Sequence, residues 1–198
     1  MVSAQGTWAK TTTARRVIGL TVVWVLWLTP VSLSDDPSAR VFKVGKHAGI
    51  ALSIPETLEV ESQSTDEGVL SIRVVPREGS LFEILISAVA VPRGAEAMSS
   101  PEFTKYLVHT RGTALLETAV ETELGMMEVS GTRGVGYFFA LTDKREELPP
   151  DEFKYLCQGV MPLGGIQLSA TLLSNSPGNQ PIIQLLEMLR TADTTTVT

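Results

Sequence analysis

The sequence predicts an α+β fold, a single antiparallel β-sheet with helices on its faces. Three observations lead there. Apolar residues recur at every second position from Arg40 to Val91 and again in the second half of the chain, with turn residues roughly every 8–12 positions, as in an antiparallel meander. The spacing changes to that of a helix over residues 101–116 and again from Ile182 to Leu189. The strongest strand, Leu81 to Val91, is apolar on both faces, which calls for a central position covered on both sides.

Taken in order, Ile50, Leu52 and Ile54 alternate with Ala51 and Ser53 and stop at Pro55. Leu58 and Val60 alternate with Glu59 and Glu61, and the polar run Ser62 to Gly68 ends that strand. Leu70, Ile72 and Val74 alternate with Ser71 and Arg73 before a turn at residues 76–80. After the strand at 81–91, Ser99-Ser-Pro101-Glu102 is a helix start, with Ser as N-cap, Pro in the first turn and Glu in the capping-box position. Phe103, Leu107, Val108 and Leu115 supply the helical stripe, and Gly112 weakens its middle. Strands follow at Met126 to Ser130 and Val135 to Thr142, then a charged loop from Asp143 to Glu152. Phe153, Tyr155 and Cys157, then Ile166 to Leu172, form a closing hairpin hinged at Pro162-Leu-Gly-Gly165. Ile182, Leu185, Leu186 and Leu189 have amphipathic helical spacing, with Pro181 in the first turn.

Composition narrows the function classes. The chain has 198 residues, one Cys and two His, which excludes an intramolecular disulfide framework and an ordinary structural zinc site. The formal charge of −6 gives no support to a nucleic-acid partner. Residues 1–34 contain no acid but carry Lys10, Arg15 and Arg16, followed by the apolar run Val17 to Leu28, then Pro30 and the small residues Ser32 and Ser34. That order reads as a signal peptide cleaved after Ser34. An uncleaved anchor is the alternative, although the stretch from Val17 to Leu33 has only 17 residues and crosses Pro30, against about 20 for a span. The expected organisation is therefore a signal peptide at 1–34, a flexible stalk at 35–39, one domain at 40–191 and a disordered tail at 192–198. Without the three upstream cations, the exported part holds 13 basic and 22 acidic residues, a net of −9, and none of the tryptophans. Its expected place is periplasmic or extracellular.

The opening Gly49-Ile-Ala-Leu-Ser-Ile-Pro55, the Gly134-Val-Gly-Tyr-Phe-Phe139 strand and the closing unit resemble the PsbP-like superfamily, which includes the bacterial DcrB-like envelope proteins. The closing unit runs from Leu163-Gly-Gly165 through Leu172-Leu-Ser174 to the helix ending Glu187-Met-Leu-Arg190. The resemblance covers residues 40–191 and departs at Leu58, where the family usually has a tryptophan shortly after the opening proline. It implies an α/β/α sandwich and a non-catalytic role in binding or assembly, and it carries over no catalytic residue.

Little material for chemistry remains. No Gly-x-Ser-x-Gly and no P-loop is present, and Gly134-x-Gly136 lacks the third glycine of a dinucleotide site. His47, in the turn Gly45-Lys-His-Ala-Gly49, and His109, on the first helix, are the only imidazole bases open to a secreted hydrolase of unrecognised type. Cys157 alternates with Tyr155 and Gly159 and reads as a small buried hydrophobe. Asp143, Glu146, Glu147, Asp151 and Glu152 are a weak candidate cluster for a hard cation. Glu117, Glu121, Glu123 and Glu128 form a second acidic stretch, expected on the surface. The expectation is thus an exported, non-catalytic module without cofactor, with an unknown protein partner in the envelope. The alternatives are a small-ligand or lipid carrier with an apolar cavity between sheet and helix, and the hydrolase using His47 or His109. An acidic face would suit a cationic partner.

Overall fold

The computed structural model describes residues 38–46, 48–65, 67–79, 82–176 and 178–196. The expected signal peptide, residues 35–37 of the expected stalk, and His47 lie outside the described residues. In chain order the elements are β1 (Ser38–Val44), β2 (Ala48–Ile54), β3 (Leu58–Ser64), β4 (Val69–Pro76), β5 (Phe82–Ala90), α1 (Pro101–Leu115), β6 (Met126–Ser130), β7 (Val135–Thr142), β8 (Tyr155–Leu163), β9 (Ile166–Ser174), α2 (Gln180–Arg190) and β10 (Asp193–Thr196).

The expected single sheet with helices on its faces does not form. The described chain is mostly β and makes two antiparallel sheets, one of three strands in the order β1-β2-β10 and one of seven in the order β3-β4-β5-β9-β8-β7-β6. The reason lies in β2, whose two edges are both occupied. One pairs with β1 from Ser38↔Ile54 to Val44↔Ala48, and the other with β10 from Asp193↔Ala51 to Thr196↔Ala48. β3 therefore cannot extend that sheet. It turns away at Pro55, whose carbonyl accepts from the Leu58 N–H at 3.1 Å, and starts a new sheet with β4. The segment that closes the small sheet lies within the expected tail. Its threonines are β-branched and favour extended backbone, and β2 offers them a free edge.

The α/β/α layering implied by the resemblance is replaced accordingly. β1 lies against β3, β4 and β5, so sheet rather than helix covers that part of the large sheet. α2 packs on β2, β9 and β6, while α1 packs on β7 and β8. The main core joins Ile50, Leu52 and Ile54 of the small sheet to Ile72, Ile84, Ile86 and Leu172 of the large one, with Leu185 and Leu189 of α2. A second, smaller core under α1 consists of Val108 against Phe139, Leu141 and Val160.

Local signals fared better than layering. The β8–β9 hairpin turns on Gly164 and Gly165, at φ +51° and +89°, the left-handed pair that a tight hairpin asks of glycine. The N-cap of α1 is Ser100, whose Oγ accepts from the Phe103 N–H at 3.1 Å. The helix starts at Pro101 as expected, but with Ser100 as N-cap the third helical position is Phe103, so Glu102 sits in the first turn without completing the expected capping box.

Strand β5 departs from expectation in the way that matters most. It is central, third of seven, but fully covered on one side only. Ile84, Ile86 and Ala88 are buried in the main core, whereas Leu85 and Val89 on the opposite face are 39% and 43% exposed.

Candidate functional site

The residues singled out for chemistry do not converge. His109 is exposed on α1, and no ion pair or hydrogen bond joins it to an acid among the described residues. No group of three or more His, Cys, Asp or Glu that could hold a metal ion occurs among the described residues. Instead, two members of the acidic loop close on a cation of their own. Arg145 bridges Asp143, at 2.7 Å, and Glu152. Hydrogen bonds and charge from Arg145 hold the Asp143 carboxyl down at about 2. Glu146, Glu147 and Asp151 point to solvent. Cys157 is buried, and desolvation pushes its thiol up to about 12, so it stays protonated and unreactive at neutral pH.

The space beneath the middle of α1 is filled. Leu107, Leu115, Leu124 and Leu156 close around Val108 and Phe139. A Cβ added at Gly112 would lie 2.6 Å from Leu124 Cδ1 and 3.0 Å from Phe139 Cδ1. The middle of α1 is packed against the sheet, and a recess of about 180 Å³ remains by its C-terminal end, lined by Leu115, Ala119, Leu141, Leu156 and Leu173.

The large sheet does present one open surface, and register defines it. Leu156, Gln158 and Val160 of β8 point towards α1. Their cross-strand neighbours on β9 are Leu173, Thr171 and Ser169, which in turn face Glu83, Leu85 and Ser87 on β5. The same face continues through Arg73 and Ser71 of β4 to Glu61 and Gln63 of β3. On this face α1 packs mainly over β7 and β8, and the segment before it reaches β9, where Gln167 donates to the Met98 carbonyl at 3.2 Å. The β9 residues are half-buried, and most positions on β5, β4 and β3 are exposed. A shallow groove of about 460 Å³ runs across it, lined by Glu61, Gln63, Ser71, Arg73, Leu85 and Ser87.

Its composition is apolar at the centre and acidic towards the edge strand. Val89, paired directly with Val69, is a second apolar position on this face, separated from Leu85 by Ser87. Arg73 is held between Glu83, at 2.6 Å, and Glu61, at 3.4 Å. Glu59 adds a further exposed carboxylate on β3, so three acids face one guanidinium. The charges on β3 also guard an edge strand against indiscriminate pairing. Sequence alternation marked Leu85 and Val89 as apolar; only the fold reveals that they stay partly exposed, at 39% and 43%.

No family model matches the chain, and no curated protein matches it. Neither comparison names a PsbP-like or DcrB-like family, so that resemblance stands on the quoted residues alone. Among the described residues no helix is long and apolar enough to cross a membrane.

Proposed function

We propose that this chain is a non-catalytic protein-binding module, exported by its N-terminal segment, which docks a partner on the open face of β5, β4 and β3. The observation that carries the reading is the outward exposure of Leu85 and Val89 on a central strand. A central strand apolar on both faces calls for cover on both, and exposed apolar side chains set among polar groups on one such face point to an interaction site. The acidic surround of Glu59, Glu61 and Glu83 suits a partner with an apolar centre and a cationic rim. Such charge complementarity speeds encounter and selects among partners.

The test is a comparison of the full chain with a Leu85→Glu/Val89→Glu variant in capture from extracts of the source cells. Both positions are exposed, so the variant should fold with an unchanged circular dichroism spectrum. A partner that is retained by the native face, lost with the variant and weakened by raised salt supports the reading. Equal capture by both chains overturns it.

A further inference from the structure

A second site lies on the other face of the large sheet, where α2 stops short of the strand ends. The end of β7, the start of β8 and the end of β9 come into register there, as Thr142↔Tyr155 and Tyr155↔Ser174. α2 begins beside them, and a partly enclosed cleft of about 200 Å³ remains between its first turn and the strands. Its apolar lining includes Ala140, Leu172 and Ile182, and its polar lining includes Glu121, Thr142, Tyr155, Ser174, Ser176 and Asn179.

Glu121 was expected to be one of several surface acids. It is instead half-buried and fixed, its two carboxylate oxygens accepting from the Thr142 N–H and hydroxyl, each at 2.8 Å. No Lys or Arg pairs with it among the described residues. Burial alone pushes this carboxyl up, but the bonds from Thr142 outweigh that and hold it below the ordinary value. The cleft therefore carries a fixed negative charge, positioned before any ligand arrives, in a partly apolar lining. The opposite wall is the start of α2, whose macrodipole supplies roughly half a positive charge, less than the full charge of Glu121.

We propose that this cleft binds a primary ammonium group on a short aliphatic stem. The ammonium pairs with the free lone pairs of Glu121, and the stem packs on Ile182 and Leu172. A fixed carboxylate in a partly enclosed cleft is a favourable setting for a desolvated ammonium. The volume admits only a small amine or the end of a lysine side chain. The inference is independent of the docking face, which lies on the other side of the sheet.

The experiment is an NMR titration of the isotope-labelled full chain with n-butylammonium, n-butanol and an N-acetylated, C-amidated Ala-Lys-Ala peptide. Saturable shifts at Tyr155, Gly178 and Ile182 with n-butylammonium, and about tenfold weaker binding of n-butanol, are expected. Tighter binding of the peptide than of n-butylammonium assigns the cleft to a lysine side chain; the reverse assigns it to a free amine. Glu121→Gln should weaken the ammonium about tenfold, whereas Glu123→Gln, an exposed neighbour, should leave it unchanged. Ser176→Phe fills the cleft without disturbing the Glu121–Thr142 bonds and should abolish binding. No saturable shift in these residues, equal binding of n-butanol, or full binding by the Ser176→Phe variant would each overturn the proposal.

Discussion

Gly159 and Cys157 lie two residues apart on β8, and both record how tightly the chain is packed there. Phe138 is paired with Gly159 across the sheet. A Cβ at Gly159 would lie 2.2 Å from the Phe138 ring and 2.3 Å from the Tyr137 carbonyl oxygen. The ring is fully buried and the carbonyl belongs to the backbone, so neither yields cheaply. Gly159→Ala should therefore lower the unfolding free energy by about 3 kcal/mol, the upper range for overpacking, as read from urea denaturation. Cys157 makes a chemical prediction. With its folded pKa raised to about 12 by burial, the thiol should resist an aromatic disulfide reagent at pH 8 until the protein is unfolded. The same shift fixes a sign: its contribution to stability is complete below the unfolded thiol value of about 8.5 and is lost as pH rises towards the folded value. The burial of Cys157 was legible from alternation with its neighbours on β8. That of Glu121 was not, because the Thr142 groups that hold it lie 21 residues away in sequence and only the fold brings them close.

At the scale of elements, local spacing located both helices and most strands, while partners and coverage depended on tertiary contacts. The start of α1 was legible from Ser-Ser-Pro-Glu, although which serine caps it was not. Ser100→Ala should cost about 1 kcal/mol, as loss of an N-cap does. Ser99→Ala should cost far less, because the Ser99 hydroxyl is buried without a hydrogen-bond partner; paired thermal melts of the two variants check this. Strand β10 escaped notice because a short run of threonines also reads as a polar tail until β2 supplies an edge. The doubly apolar pattern of β5 correctly indicated a central strand. It wrongly implied full cover on both sides, since α1 lies mainly over β7 and β8 and leaves Leu85 and Val89 partly exposed. That mismatch between pattern and cover makes β5 the centre of the proposed docking face. Replacing Leu85 and Val89 by glutamate should lower the unfolding free energy by no more than about 2 kcal/mol, because both side chains are already 39% and 43% exposed, while partner capture disappears.

For the whole molecule, two antiparallel sheets share one main core, with α2 packed against both, and acidic charge is spread over the outside. The composition signalled that acidity, and the leader-like order of residues 1–34 sharpened it to a net of −9 for the remainder. The proposed export by that segment predicts a mature N-terminus at Asp35, which N-terminal sequencing of protein recovered from the source cells will read; Met1 or Val2 there would rule out cleavage after Ser34. The central claim, that the open face of the large sheet docks a protein with a cationic rim, is tested most directly by photo-crosslinking in the source cells. A photoreactive residue replaces Ser87, in the middle of the face, and in a parallel chain replaces Tyr106, exposed on α1. The account predicts one defined crosslinked partner from position 87, joined through a segment rich in Lys or Arg and lost when Leu85→Glu/Val89→Glu is added. An identical product from both positions, or none from position 87, would contradict it.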